Sequence, residues 1–164
     1  MSPLTTALVV VTLIGSALIA GVFFIFSNTV MGALARLQAP AAIAAMQSIN
    51  AVILNPAFLG LFLGTAACSL LVVTTAVLTW GTPGAAWAGA GALLYFVGSF
   101  LVTGMGNVPL NNALAAVGAS TPDALSVWEH YLTRWTQLNT LRTLASGLGA
   151  LLLAVALVVP RVDP

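Results

Sequence analysis

Five residues of this chain share one helical face and could do chemistry together. Trp128, Tyr131, Trp135, Asn139 and Arg142 follow one another at spacings of 3, 4, 4 and 3, which places them within about 80° of arc at helical periodicity. Three aligned rings would wall a flat apolar molecule. An arginine and an asparagine at the end of that wall would hold an anionic oxygen. Each member also has a plainer reading. The rings can form an aromatic belt at a membrane surface, although a belt accounts less well for a stripe running roughly 16 Å along a helix. Arg142 can snorkel or bond to backbone carbonyls instead of facing a ligand.

A second group lies in Asn107–Val108–Pro109–Leu110–Asn111. Its two asparagines either cap and turn a helix broken by the proline or line a cavity. Irregular backbone at membrane depth is tolerated only beside protein or a polar cavity. A third group is Gln47 with Asn50 and Asn55, and Asn28 stands near the end of the first apolar run. His130 lies on the face opposite the stripe, with Arg134 four residues on. It reads as solvated or facing headgroups, and serves as a base only if the helix rotates or unwinds. Asp123 and Glu129 suit a helix start, where acids offset the dipole.

The surroundings of these groups are oil-like. The chain has 164 residues, 60% hydrophobic and 4% charged, with mean hydropathy +1.11. Soluble domains carry about 25% charged residues, so hydrocarbon is the expected solvent. Net charge is +1, from four arginines and no lysine. That leaves no basic stripe and excludes nucleic acid as a partner. Cys68 is the single cysteine and reads as a small buried hydrophobe. One cysteine and one histidine exclude a zinc or copper cage and paired haem ligation, so no cofactor is expected. No carboxylate lies inside an apolar run, which argues against an ion pump or proton relay built on buried acids.

The elements that must position the polar groups are membrane helices. Several apolar runs reach the ~20 residues a span needs. The first is expected over about 5–30, as a retained helix: no basic stretch precedes it, and it is long for a signal segment. A short helix from Ala41 to Leu54 follows, at the interface or folded back on the bundle, with Ile43, Met46 and Asn50 on one face. Asn55–Pro56 marks a boundary. The second span is expected over about 57–79, with Gly60 and Gly64 as a close-contact pair and Trp80 at the interface. A turn at Gly81–Gly84 leads to the third span, about 85–105, and a broken segment follows. Ser120–Thr121–Pro122–Asp123 reads as a helix start with Thr121 as cap. A helix over 122–137 continues into the last span, 138–159, and either protrudes or bends. Arg161 on one side against Arg36 and Arg134 on the other does not orient the chain. The expectation is one all-α transmembrane domain over 1–164: an integral membrane four-helix bundle with a short extra helix between spans one and two. This topology gathers all four polar groups at one end.

With these pieces in order, the sequence resembles the anthrone oxygenase family of small membrane proteins. The matching pieces are Met46–Gln47–Ser48–Ile49–Asn50, Asn55–Pro56–Ala57–Phe58 and Val102–Thr103 with Asn107–Val108–Pro109–Leu110–Asn111. The last runs from Trp128–Glu129–His130–Tyr131 through Trp135–Thr136–Gln137–Leu138–Asn139 to Arg142–Thr143. The resemblance implies a four-helix membrane protein and oxidation of an anthrone to an anthraquinone by molecular oxygen. On that reading Arg142, Asn139, Asn107 and Asn111 stabilise an oxyanion, while Trp128, Trp135, Asn50 and Asn55 contact the substrate. The base is open among Tyr131, His130, a substrate hydroxyl and water. The expected partners are a hydrophobic small molecule and membrane lipid, with a homo-oligomer also admissible, in a bacterial inner membrane. The rival reading is a membrane protein that binds or transports a lipophilic small molecule or lipid; a third is a structural subunit that needs a partner.

Overall fold

Helix lengths set the architecture. The computed structural model describes residues 1–118 and 121–159. Five helices account for nearly all of them: α1, Pro3–Leu34; α2, Ala39–Val52; α3, Pro56–Leu78; α4, Ala85–Ala115; and α5, Ala124–Val158. No strand occurs among the described residues. Prolines sit in the first turns of α1, α2 and α3, where the missing N–H costs nothing and the ring is pre-set for a helix. Ser2 and Asn55 complete two of these starts, their side chains accepting from the Thr5 and Phe58 amides at 3.2 and 3.0 Å.

α3 has 23 residues, or about 34 Å of rise, close to the ~30 Å of bilayer hydrocarbon. The other three long helices have 32, 31 and 35 residues and overshoot it. All four are flush at one end. There the Ala156 carbonyl leaves no room for a side chain at Gly84, which stands at φ 83°, and Val9, Val72, Ala88 and Leu153 pack together. The surplus therefore emerges at the opposite end. α1, α4 and α5 continue there past the start of α3, and α2 folds back over them, burying Ala42, Ile43 and Met46 against Met31, Leu114 and Trp128. Gln47 ties this cap down by donating to the Leu114 and Val117 carbonyls at 2.8 and 3.0 Å. The short helix takes the folded-back position of the two that were open.

Several expectations change in detail. The interruption near Pro109 is not a chain break: α4 continues to Ala115 through wide π-helical turns at Phe96–Leu101 and Thr103–Asn107. Pro109 has no N–H, and its ring would crowd the carbonyl four residues back. The turn before it widens instead, with the Val108 amide reaching the Thr103 carbonyl. α5 runs unbroken, so it protrudes. It begins at Ala124, and the Thr121 hydroxyl bonds the Gly118 carbonyl at 2.9 Å rather than capping the helix. A Cβ added at Gly60 or Gly64 would meet nothing from another helix within 4 Å among the described residues. The close approach occurs at Gly91 and Gly149, where an added Cβ would stand 2.7 Å or 2.8 Å from the other residue's carbonyl oxygen. Ser120 and Arg161 lie outside the described residues.

Candidate functional site

The stripe on α5 is buried along its whole length: Trp128, Tyr131, Trp135, Asn139 and Arg142 are each at most 5% exposed. Its rings stack in sequence, Trp128 on Tyr131 at 5.8 Å and Tyr131 on Trp135 at 6.0 Å between centroids. Below Trp135 the face turns polar. Arg142 donates from Nη2 to the Asn139 side-chain oxygen at 2.7 Å and from Nη1 to the Thr103 hydroxyl at 2.9 Å. Its guanidinium carbon lies 4.1 Å from the Phe23 ring centroid and 5.2 Å from that of Trp135, within cation–π range. Its Nε has no partner among the described residues. The only carboxylates in the chain are Asp123, Glu129 and Asp163.

Arg142 opens onto a cavity of about 100 Å³. Phe23 and Phe26 of α1, Phe58 and Phe62 of α3, and Trp135 supply its aromatic wall; Asn50, Thr103, Asn107 and Asn111 supply polar groups. Phe58 and Phe62 belong to the first turns of α3. The cavity thus sits where the shortest span begins, beneath α2. Two wide turns flank it, Phe26–Val30 in α1 and Thr103–Asn107 in α4. Such turns are often found at functional sites. The second places Thr103 beside Arg142 while keeping Asn107 buried against Trp135.

The hydrogen bonds above the cavity run in one direction. Trp135 Nε1 donates to the Asn111 side-chain oxygen at 2.9 Å. The Tyr131 hydroxyl donates to the same oxygen at 2.8 Å. Having given its proton away, the Tyr131 oxygen accepts from Asn50 Nδ2 at 3.3 Å. An indole N–H can only donate, so it sets every amide orientation in the chain. This leaves the Asn111 amide nitrogen and the Asn50 oxygen free for other partners.

The candidate residues separate into groups. Asn50, Asn107, Asn111, Trp135 and Arg142 converge on the cavity. Trp128 and Tyr131 stand behind its wall. Asn139 is behind Arg142: its Nδ2 donates to the Phe23 carbonyl and the Ser27 hydroxyl at 2.6 and 2.7 Å, so it positions the guanidinium. Asn55 stays outside, exposed, with its oxygen on the Phe58 amide and its nitrogen on the Val52 carbonyl at 3.0 Å. Asn28 and His130 are also exposed, and Arg134 bonds Gln137 rather than His130. Phe23, Phe62, Thr103 and Ser27 were not among the candidates. Thr103 carried a readable signal, standing four residues before Asn107. Among the described residues no three His, Cys, Asp or Glu side chains converge as metal ligands.

No curated protein and no solved structure gives a match to this chain. A family model described as anthrone oxygenase matches residues 54–152, from the α2–α3 link through most of α5. The matched segment holds Asn107, Asn111, Trp135, Asn139 and Arg142. With more than half its length matched and four apolar helices long enough to cross a membrane, the chain belongs to the anthrone oxygenase family.

Proposed function

We propose that this protein is a membrane-embedded oxygenase that oxidises a flat, lipophilic aromatic compound of anthrone type. One observation carries the reading: a buried guanidinium, with no carboxylate beside it among the described residues, opens onto a cavity walled by five aromatic side chains. Such a site suits an apolar ring system that develops negative charge on one oxygen. The acid–base step is removal of a proton from the methylene of the anthrone, which places charge on the ketone oxygen. Arg142 stabilises that oxyanion, an interaction stronger in the transition state than in the ketone. The carbanion gives electrons to molecular oxygen. A new carbon–oxygen bond forms, the peroxide breaks, and one water leaves with the quinone, so one O2 is consumed per anthrone. The electrons come from the substrate, and the reading needs no metal or organic cofactor.

Tyr131 is poorly placed as the base, because its proton is engaged with Asn111 and its oxygen with Asn50. Among the described residues no imidazole or carboxylate lines the cavity. The proton therefore leaves to water or to a hydroxyl of the substrate itself. The cavity of about 100 Å³ is smaller than the ~300–1,000 Å³ of typical small-molecule pockets. A three-ring ligand must widen it, and the rim at Ile53, Leu54 and Phe58, where α2 joins α3, is the place to give. Within a bacterial cell α-helical spans suit the inner membrane, outer-membrane spans being β-barrels.

The test is oxygen uptake by purified protein with an anthrone, together with quinone formation. One quinone should appear per O2, and Arg142→Ala should lower turnover about 10²–10³-fold. Wild-type turnover in a folded Arg142→Ala variant would end the proposal. Stoichiometric copper or iron in active protein would remove its cofactor-free part. Copurifying lipid without turnover would favour the rival reading, a protein that binds or carries lipophilic molecules.

A further inference from the structure

The cavity beside Arg142 has a neighbour. A second space of about 250 Å³ lies along the last turns of α2, lined by Ser48, Ile49, Val52, Ile53 and Asn55. Ile49 and Ile53 line both spaces. They stand four residues apart, so one face of α2 carries them both, and they form the partition between an inner and an outer pocket. Ser48 and Val52 belong to the outer pocket alone, and both are exposed. Asn55 closes its edge. The Asn55 oxygen accepts from the Phe58 amide and its nitrogen donates to the Val52 carbonyl, so it offers a ligand nothing polar. Among the described residues no charged side chain lines the outer pocket.

The partition is lightly held. Ile49 and Ile53 are only partly buried, and turning two aliphatic side chains breaks no hydrogen bond. Among the described residues Asn50 is the last side chain of α2 to bond another helix of the cap; beyond it Asn55 ties α2 only to the start of α3. The inner pocket, at about 100 Å³, is too small alone for a fused three-ring compound, since small-molecule sites occupy ~300–1,000 Å³. The larger space lies directly behind the two isoleucines. We infer that the outer pocket is a second subsite of the ligand site: Ile49 and Ile53 swing aside, one end of the ring system rests against Trp135 and Arg142, and the far ring enters the space beside Ser48 and Val52. The two isoleucines thereby set how long a ring system the site accepts. The inference rests on the fused-ring ligand class proposed above.

The experiment measures anaerobic binding, read by quenching of tryptophan fluorescence with the full chain in phosphatidylcholine nanodiscs. The probes are anthrone, with three fused rings, and 1-tetralone, an aromatic ketone with two. Ser48→Phe and Val52→Phe fill the outer pocket from exposed positions. Each should weaken anthrone binding at least about tenfold and 1-tetralone binding by less than about threefold, as expected when a pocket loses room for one ring. Ile49→Ala combined with Ile53→Ala removes the partition, and should speed anthrone association about tenfold in stopped flow, because no side chain then has to move first. If one phenylalanine variant fails to fold, the other decides. Unchanged anthrone affinity in the phenylalanine variants, or equal weakening of both probes, overturns the subsite and leaves the ligand class standing. Failure of both probes to bind wild-type protein overturns the ligand class and this inference with it.

Discussion

α5 packs in two different ways along its length. In its membrane half it presents Ala145, Ser146, Gly149, Leu153 and Ala156, and α4 approaches until Gly91 and Gly149 leave no room for a Cβ. In its first half it presents Trp128, Tyr131 and Trp135, which pack against Met31, Met46 and Leu114 of the neighbouring helices. Small residues give tight, dry contact that lipid cannot replace. The cavity lies beside the large residues, with Trp135 on its wall. The junction of the two regimes falls at Asn139 and Arg142, where the wide turn of α4 comes alongside.

The comparison can be broken most severely at the tight end. Gly91→Leu would drive its side chain into the Gly149 carbonyl and Leu153. It should abolish folded, monodisperse protein on gel filtration in detergent. A Gly91→Leu protein with a normal elution profile and unfolding midpoint would mean that the close approach does not hold the bundle together. An intermediate effect is expected at the cap. Tyr131→Phe removes the hydroxyl linking Asn50 to Asn111, and should cost about 1–3 kcal/mol of stability while lowering turnover by less than about tenfold. A turnover loss of 10² or more with stability unchanged would instead point to Tyr131 as a general base. The smallest effect belongs to Asn55→Ala. Loss of the α3 cap should cost about 1 kcal/mol in thermal unfolding and leave ligand affinity as it was. A clear fall in affinity would place Asn55 in the site after all.

The stripe was legible because α5 is one uninterrupted helix, so a spacing of three and four residues maps directly onto a face. The gathering of polar groups at one end was legible from topology, since four spans carry the chain back and forth and put alternate connections together. Other features resisted for definite reasons. Gly60 and Gly64 have the pattern of a helix contact, but pattern alone does not say which face of α3 meets a neighbour. Pro109 was visible as a disruption, yet a proline can be accommodated by a break, a kink or a wide turn, and the packing of α4 on α5 chooses among them. Asn55 and Asn107 look alike in sequence. One ends as an exposed cap and the other as a buried group with an unpaired oxygen.

The sequence by itself determined the solvent, the helical class, the membrane spans and the face that carries Trp128 to Arg142. Those follow from composition and periodicity, which are local properties of the chain. Only the tertiary structure decided which polar atoms are satisfied. Asn139 faces Ser27 and Phe23 of α1, Arg142 faces Thr103 of α4, and Trp135 sets the direction of hydrogen bonds through Asn111 and Tyr131 to Asn50 of α2. A donor acquires its role from the acceptor opposite it, and here most of those partners arrive from a different helix.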